Sequence, residues 1–170
     1  MATPALKTPL VAADTNVLLD LAFKDDGIWQ CLETLKARRP APRFIVTPTV
    51  LQELAHLFVS GNTQEKRSAA ATTLRSLNSW GFGPLNLLPV GHGIVERISD
   101  EIRRLGLIPE SERHDSFILA EAALCEADIL ITSDAQLYGI DHQRLHVALS
   151  SFDVKPIMIC WPRRVSRLLG

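Results

Sequence analysis

No apolar run in this chain approaches the roughly 20 residues needed to span a bilayer, so a membrane-spanning helix is not expected. Cysteine is scarce: Cys31, Cys125 and Cys160 are far apart and odd in number. They lack the spacing of a zinc site and argue against a disulfide framework, which leaves buried thiols as the expectation. Charge of one sign is also missing. With 18 basic and 19 acidic residues the formal net charge is −1, so bulk charge does not announce a nucleic-acid binder, although a local patch would suffice. Residues 1–9 carry one Lys, two Pro and no apolar signal-peptide core, so the expected location is cytoplasmic. There is no internal repeat, low-complexity tract or interdomain linker.

What is present fits one folded domain. The 170 residues are 46% hydrophobic, enough for a full core and too apolar for disorder. Apolar strand candidates alternate with helical patterns throughout. Leu10–Ala13 reads as a strand, and a helix follows that carries Val17, Leu18 and Leu21. Ile28 to about Arg38 reads as a helix ended by Pro40 and Pro42. Phe44–Thr47 reads as a strand. A helix from Thr49 to Val59 follows, with Val50, Leu51, Leu54, Leu57 and Phe58 as its stripe and Pro48 at its start.

Thr63 to Trp80 reads as a helix with Ala70, Leu74, Leu77 and Trp80 on one side. Gly81–Pro84 reads as a loop and Leu85 to Val90 as a third strand. His92 to Leu105 is a predicted helix stopped by Gly106. Ser116 to Glu126 is a helix apolar on most sides, with Asp115 at its start. Asp128–Thr132 holds a strand, Tyr138–Leu149 a weaker helical pattern, and Lys155–Trp161 a last strand. This alternation predicts an α/β three-layer sandwich around a central, mainly parallel sheet.

Acids punctuate the pattern. Asp14 and Asp134 each follow an apolar strand, at the end where open α/β sheets place ligands. Asp115 opens a buried helix, and Glu53 falls on the border of an apolar stripe. Each has a plain structural reading as well: Asp14 and Asp115 as helix caps, Glu53 as a boundary residue reaching water. If they converge, carboxylates in one cleft raise each other's pKa, and a divalent cation reverses that by favouring the ionised forms. An all-oxygen set without nearby Cys suits magnesium or manganese, ions that activate water and neutralise charge on a phosphate.

Four blocks carry a resemblance. Ala13-Asp14-Thr15-Asn16-Val17-Leu18-Leu19-Asp20, Val50-Leu51-Gln52-Glu53-Leu54, His114-Asp115-Ser116-Phe117-Ile118-Leu119-Ala120 and Ile131-Thr132-Ser133-Asp134 stand in this order. Together they resemble the PIN-domain ribonucleases, many of whose bacterial members are VapC-type toxins. The resemblance covers roughly Val11 to Trp161. It implies that Asp14, Glu53, Asp115 and Asp134 are the catalytic, metal-binding acids, with Asn16 and Thr132 supporting them. It further implies Mg2+ or Mn2+, hydrolysis of RNA phosphodiester bonds, an antitoxin protein as partner, and a homodimer. The chain departs from the small toxins in the longer segment between Glu53 and Asp115. It also has Gln136 and Leu137 where a further acid often follows the last aspartate, which leaves the number of metal ions open.

Other readings stay open at this stage. Asp14-Thr15-Asn16 superficially suits an aspartyl-nucleophile phosphatase, but Asn16 stands where that pattern needs a second acid. A catalytically silent PIN-like module that binds RNA or a protein is the other alternative. Candidate phosphate contacts are Arg163, Arg164 and Arg167, or Lys36, Arg38 and Arg39, or Arg103 and Arg104; any single cluster reads more readily as a solvated charged face. Trp29, Trp80 and Trp161 are candidate base-stacking residues or plain core. His142 and His146, four apart, fall short of a metal site without a third ligand.

Overall fold

Leu10–Ala13 is buried on both faces because it becomes the central strand of a five-stranded sheet, with Val11, Ala12 and Ala13 each at most 1% exposed. The computed structural model describes residues 7–85 and 89–169. The element order is β1 (Leu10–Ala13), α1 (Thr15–Ala22), α2 (Asp26–Lys36), β2 (Arg43–Val46), α3 (Pro48–Ser60), α4 (Gln64–Trp80), β3 (Phe82–Pro84), α5 (Pro89–Arg104) and α6 (Arg113–Leu124). Then come β4 (Ile129–Ile131), α7 (Ala135–Tyr138), α8 (His142–Ser150), β5 (Met158–Cys160) and α9 (Pro162–Leu169). The strands lie in the order β3-β2-β1-β4-β5, and every pairing is parallel.

That order decides where the helices go. From β1 the chain steps outward through β2 to β3; β4 and β5 then step outward on the other side of β1. Parallel crossovers are right-handed, so reversing the direction of travel moves the connecting helices to the opposite face. The packing agrees: α1 lies against α2 and α4, whereas α5 lies against α6 and α8. The result is the expected three-layer α/β sandwich. The reversal sits between β1 and β4, and their carboxyl ends form the switch-point crevice where such sheets hold ligands.

Sequence chemistry explains several helix ends. Asp14, Asp25, Thr63 and Asp141 each accept a backbone N–H as N-caps of α1, α2, α4 and α8. Pro48 occupies the first turn of α3. Gly81 closes α4 at φ +92°, a left-handed conformation in which a side chain would be strained.

Several expectations are corrected. The third strand is Phe82–Pro84, inside the segment read as a loop, and helix α5 already includes Pro89 and Val90. Residues 86–88 of the expected strand lie outside the described residues. The reason is burial: Phe82 is 3% exposed and packs on Phe44 with ring centroids 5.3 Å apart, so it anchors the strand despite flanking Gly and Pro. Pro84 is tolerated because β3 is an edge strand. Helix α6 starts at Arg113 with Glu112 as N-cap, so Asp115 is not a cap; it stands in the first turn. The weak pattern at Tyr138–Leu149 is two helices, α7 and α8, separated by Gly139–Asp141. In α3 only Val50 and Leu54 are fully buried, and Phe58 is 51% exposed. In α4 the buried residues are Ala69, Ala70 and Thr73, which place the helix close to α1 and α3 through small side chains. No described helix is long and apolar enough to cross a membrane.

Candidate active site at the carboxyl edge of the sheet

Asp14 leaves β1 with its backbone N–H bonded to the Ile131 carbonyl of β4 at 2.9 Å, which locks the ends of the two strands together. Its side chain is 2% exposed and fully engaged. Oδ1 accepts the Thr15 N–H at 2.7 Å, and Oδ2 accepts the Thr132 hydroxyl at 2.8 Å. Thr132 Oγ1 in turn accepts the Asp134 N–H at 3.0 Å. Thr132, wholly buried, therefore couples the first and last acids through one hydroxyl. Asp134 also caps α7 through Gln136 N. Asp14 thus serves both readings raised by the sequence: it caps α1, and it faces the other acids.

Glu53, one turn into α3, reaches the same cleft. Thr15 Oγ1 donates to Glu53 Oε2, and His114 Nδ1 lies 3.2 Å from Glu53 Oε1. Asp14, Asn16, Glu53, His56, His114 and Asp115 all line one cleft of about 530 Å³. Asn16 is exposed there. Asp134 approaches from the β4 side, where Asp115 shares a side-chain hydrogen bond with it.

These acids pay an electrostatic cost for meeting. Burial pushes the Asp14 carboxyl up to about 6; the Thr132 and Thr15 hydrogen bonds oppose the rise, and the charges of Glu53 and Asp134 add to it. Asp115 rises to about 7, first through burial and then through the charges of Asp14 and Asp134 and its hydrogen bond with Asp134. Two carboxyls that share a hydrogen bond need a proton between them, and a cation can take the place of that proton. In kind, the donor set fits a hard divalent ion: carboxylate oxygens without a thiolate. Among the described residues, no three His, Cys, Asp or Glu side chains already stand as a formed metal cluster.

One supporting residue went unnoticed in the sequence. Glu121, 2% exposed on α6, accepts the Thr49 N–H with both carboxylate oxygens, at 2.8 and 3.1 Å. Thr47, the N-cap of α3, makes no side-chain cap bond, so an acid from another helix satisfies the start of the helix that carries Glu53. A lone acid inside the apolar run Phe117–Leu124 was the available signal.

Most candidate substrate contacts are committed elsewhere. Arg103 pairs with Asp100 and Glu110, Arg104 with Glu101, and Lys36 with Glu33. Arg39 donates to the Lys36 and Arg38 carbonyls. Trp29 donates to the Leu21 carbonyl and meets Trp80 edge-on at 5.7 Å, so both belong to the packing beneath α1 and α2. His142 and His146 line a separate cleft beside Met158.

Comparison with known proteins identifies the fold and the family. The PIN domain model matches residues 11–143. Among solved structures, VapBC2 from Rickettsia felis, bound to a DNA fragment from their promoter, aligns at TM-score 0.59 and 19% identity over 77% of this chain and 92% of that one. VapBC-1 from nontypeable Haemophilus influenzae aligns at TM-score 0.58 and 14% identity over 90% and 98%. FitAcB from Neisseria gonorrhoeae aligns at TM-score 0.52 and 14% identity over 89% and 97%. No curated protein matches the sequence. The family match spans well over half of the chain, from the central strand to the start of α8, and on that ground the chain belongs to the PIN-domain family.

Proposed function

We propose that this protein is a magnesium- or manganese-dependent endoribonuclease that hydrolyses RNA phosphodiester bonds, with Asp14, Glu53, Asp115 and Asp134 as its metal-binding acids. The observation that carries the reading is the crowding of one buried and several half-buried carboxyls at the β1/β4 switch point, where Asp14 is raised to about 6 and Asp115 to about 7. A protein that only needed helix caps there would not gather charges that repel. When bound, the cation would activate water and neutralise charge on the scissile phosphate.

The chain's own residues supply the rest. Thr132 and the Thr15 N–H hold both oxygens of Asp14 and so fix its carboxylate plane. The Thr15 hydroxyl and His114 hold the two oxygens of Glu53. Glu121 anchors the first turn of α3 and so the height of Glu53 above the sheet. Asn16, exposed at the rim, is placed to meet substrate or solvent ligands of the ion. No Ser or His nucleophile is required.

The family and the matched VapBC and FitAcB structures support a further step, in which the chain is the toxin of a cytoplasmic toxin–antitoxin pair, inhibited by an antitoxin protein and assembled as a homodimer. The second reading is a catalytically silent module that binds RNA or protein. The absence of a formed three-ligand cluster among the described residues favours it. One experiment separates the two: incubate end-labelled RNAs with Mn2+ and the wild type, Asp14→Asn or Asp115→Asn, and analyse product ends. Metal-dependent cleavage leaving 5′-phosphate and 3′-hydroxyl ends, lost in both variants, supports the nuclease. Tight RNA binding with no cleavage in any metal supports the silent module.

A further inference from the structure

We propose that the start of α9, from Trp161 to Arg167, is a binding subsite for single-stranded RNA beside the acidic cleft, with a base stacked at Trp161 and phosphates held by Arg163 and Arg167. The inference deepens the nuclease reading and rests on it for the identity of the polymer.

Topology supplies the first observation. In the β4–β5 register Ile131 faces Cys160, and the Thr132 N–H bonds the Cys160 carbonyl at 3.0 Å. The next residues of the two strands are therefore neighbours: Thr132, Ser133 and Asp134 leave β4 beside Trp161, Pro162 and Arg163 leaving β5. Strands lie roughly 4.8 Å apart, so a polymer seated on the acids passes this corner within one or two nucleotides.

Charge supplies the second. An acidic cleft repels an anionic polymer, so a nuclease of this design needs cations next to its acids. None of the ion pairs among the described residues involves Arg163, Arg164 or Arg167, and all three side chains are exposed. By contrast, Arg103 and Arg104 are already paired with acids, Lys36 with Glu33, and Arg39 is turned onto backbone carbonyls. Of the clusters singled out in the sequence, the one on α9 leads directly off the carboxyl edge of the sheet. Asp20 and Asp25 stand on the same side, but Asp25 is committed as the cap of α2 and Asp20 faces the Ser133 hydroxyl at 3.4 Å.

Shape supplies the third. Arg163 and Arg167, one helical turn apart, line a groove with Gly27 and Gln30 of α2. Gly27 forms part of the groove floor: a Cβ at that position would lie 3.2 Å from Asp25 Oδ1 and 3.6 Å from Arg163 Nε, so a side chain there would crowd the groove. Trp161 is 37% exposed, carries the Arg163 guanidinium 5.5 Å from its ring centroid, and leans on Tyr138 at 6.2 Å. An exposed, braced indole beside guanidiniums that join no ion pair among the described residues is the combination that binds single strands, since bases stack on the aromatic ring and the phosphates follow the cations. Val165, 1% exposed, anchors α9 to the protein independently of these side chains.

The test is binding of a short fluorescein-labelled oligouridylate in EDTA, followed by anisotropy and by tryptophan fluorescence, so that no cleavage enters. Wild type is expected to bind with quenching. Arg163→Ala with Arg167→Ala should weaken binding at least about 10-fold and flatten the log–log salt dependence by about 1.4, the value for two lost phosphate contacts on a single strand. Trp161→Ala should weaken binding by about 5- to 150-fold, and Trp161→Phe should restore most of it, which a merely destabilised fold would not do. Binding that is absent in wild type, equal in all variants, or equally strong and equally Trp161-dependent for duplex RNA overturns the proposal. So does loss of a protein partner while RNA affinity stays unchanged. Manganese-dependent cleavage measured alongside separates the two claims. Patch-dependent binding without cleavage sinks the nuclease and keeps the subsite; cleavage with binding indifferent to the patch does the reverse.

Discussion

Asp14→Asn should make the metal-free protein more stable near pH 8 and less stable near pH 4. Asp14 has a folded-state pKa of about 6 against an ordinary 3.8. Because the folded value is the higher one, folding favours the protonated acid. The cost is absent below pH 3.8, grows between 3.8 and about 6, and is fully present above. At about 1.4 kcal/mol per pH unit the gap amounts to roughly 3 kcal/mol at pH 8. Asn never ionises and escapes that cost, but its Nδ2 cannot accept the Thr132 O–H, which an oxygen of either the protonated or the ionised carboxyl can. Losing one such bond costs about 1 kcal/mol.

The variant should therefore gain about 2 kcal/mol at pH 8, some 4–8 °C in Tm for a domain of this size, and lose about 1 kcal/mol at pH 4. Urea denaturation in EDTA at the two pH values measures both numbers. Saturating Mg2+ or Mn2+ should then raise the stability of wild type and not that of the variant. A variant less stable than wild type by the same margin at both pH values would refute the idea that this carboxyl is held at an electrostatic cost.

Further outcomes follow from neighbouring contacts. Thr132→Val removes the hydroxyl that joins Asp14 to the Asp134 backbone; it should lower Mn2+-dependent cleavage at least about 10-fold at saturating metal while leaving the circular dichroism spectrum unchanged. Glu121→Ala uncaps α3 and should cost about 1–2 kcal/mol in urea denaturation, with Glu121→Gln retaining roughly half of that because one oxygen can still accept the Thr49 N–H. Phe82→Ala should cost about 3–5 kcal/mol, as expected of a buried strand residue packed on Phe44 and not of a loop.

How much of this was legible in the sequence depended on whether local pattern and tertiary demand agreed. They agreed at Leu10–Asp14, where an apolar run, an acid and a capped helix each obey a local rule, and the strand, the cap and the switch-point crevice all follow. They disagreed at Phe82–Pro84. There Gly and Pro announce a loop, and only the contact with Phe44, far away in sequence, makes a strand. Glu53 was readable as a border residue of α3, but its two partners come from α1 and α6 and leave no trace in spacing. Glu121 was hidden for the same reason: its target is a backbone amide on another helix, and no side-chain pattern records an unsatisfied N–H. The sequence signal for Asp115 as a cap was misleading because Glu112 already fills that place, which leaves Asp115 to face Asp14 and Asp134.

The most direct measurement is an anomalous-difference map from crystals soaked in Mn2+ at pH 8, where Asp14 and Asp115 are ionised. A strong peak bounded by the carboxylates of Asp14, Asp115 and Asp134, absent in Asp14→Asn crystals grown alike, is the expected result. A cleft that stays empty at saturating manganese, or a peak held by other residues, would contradict the assignment of these acids as a metal site.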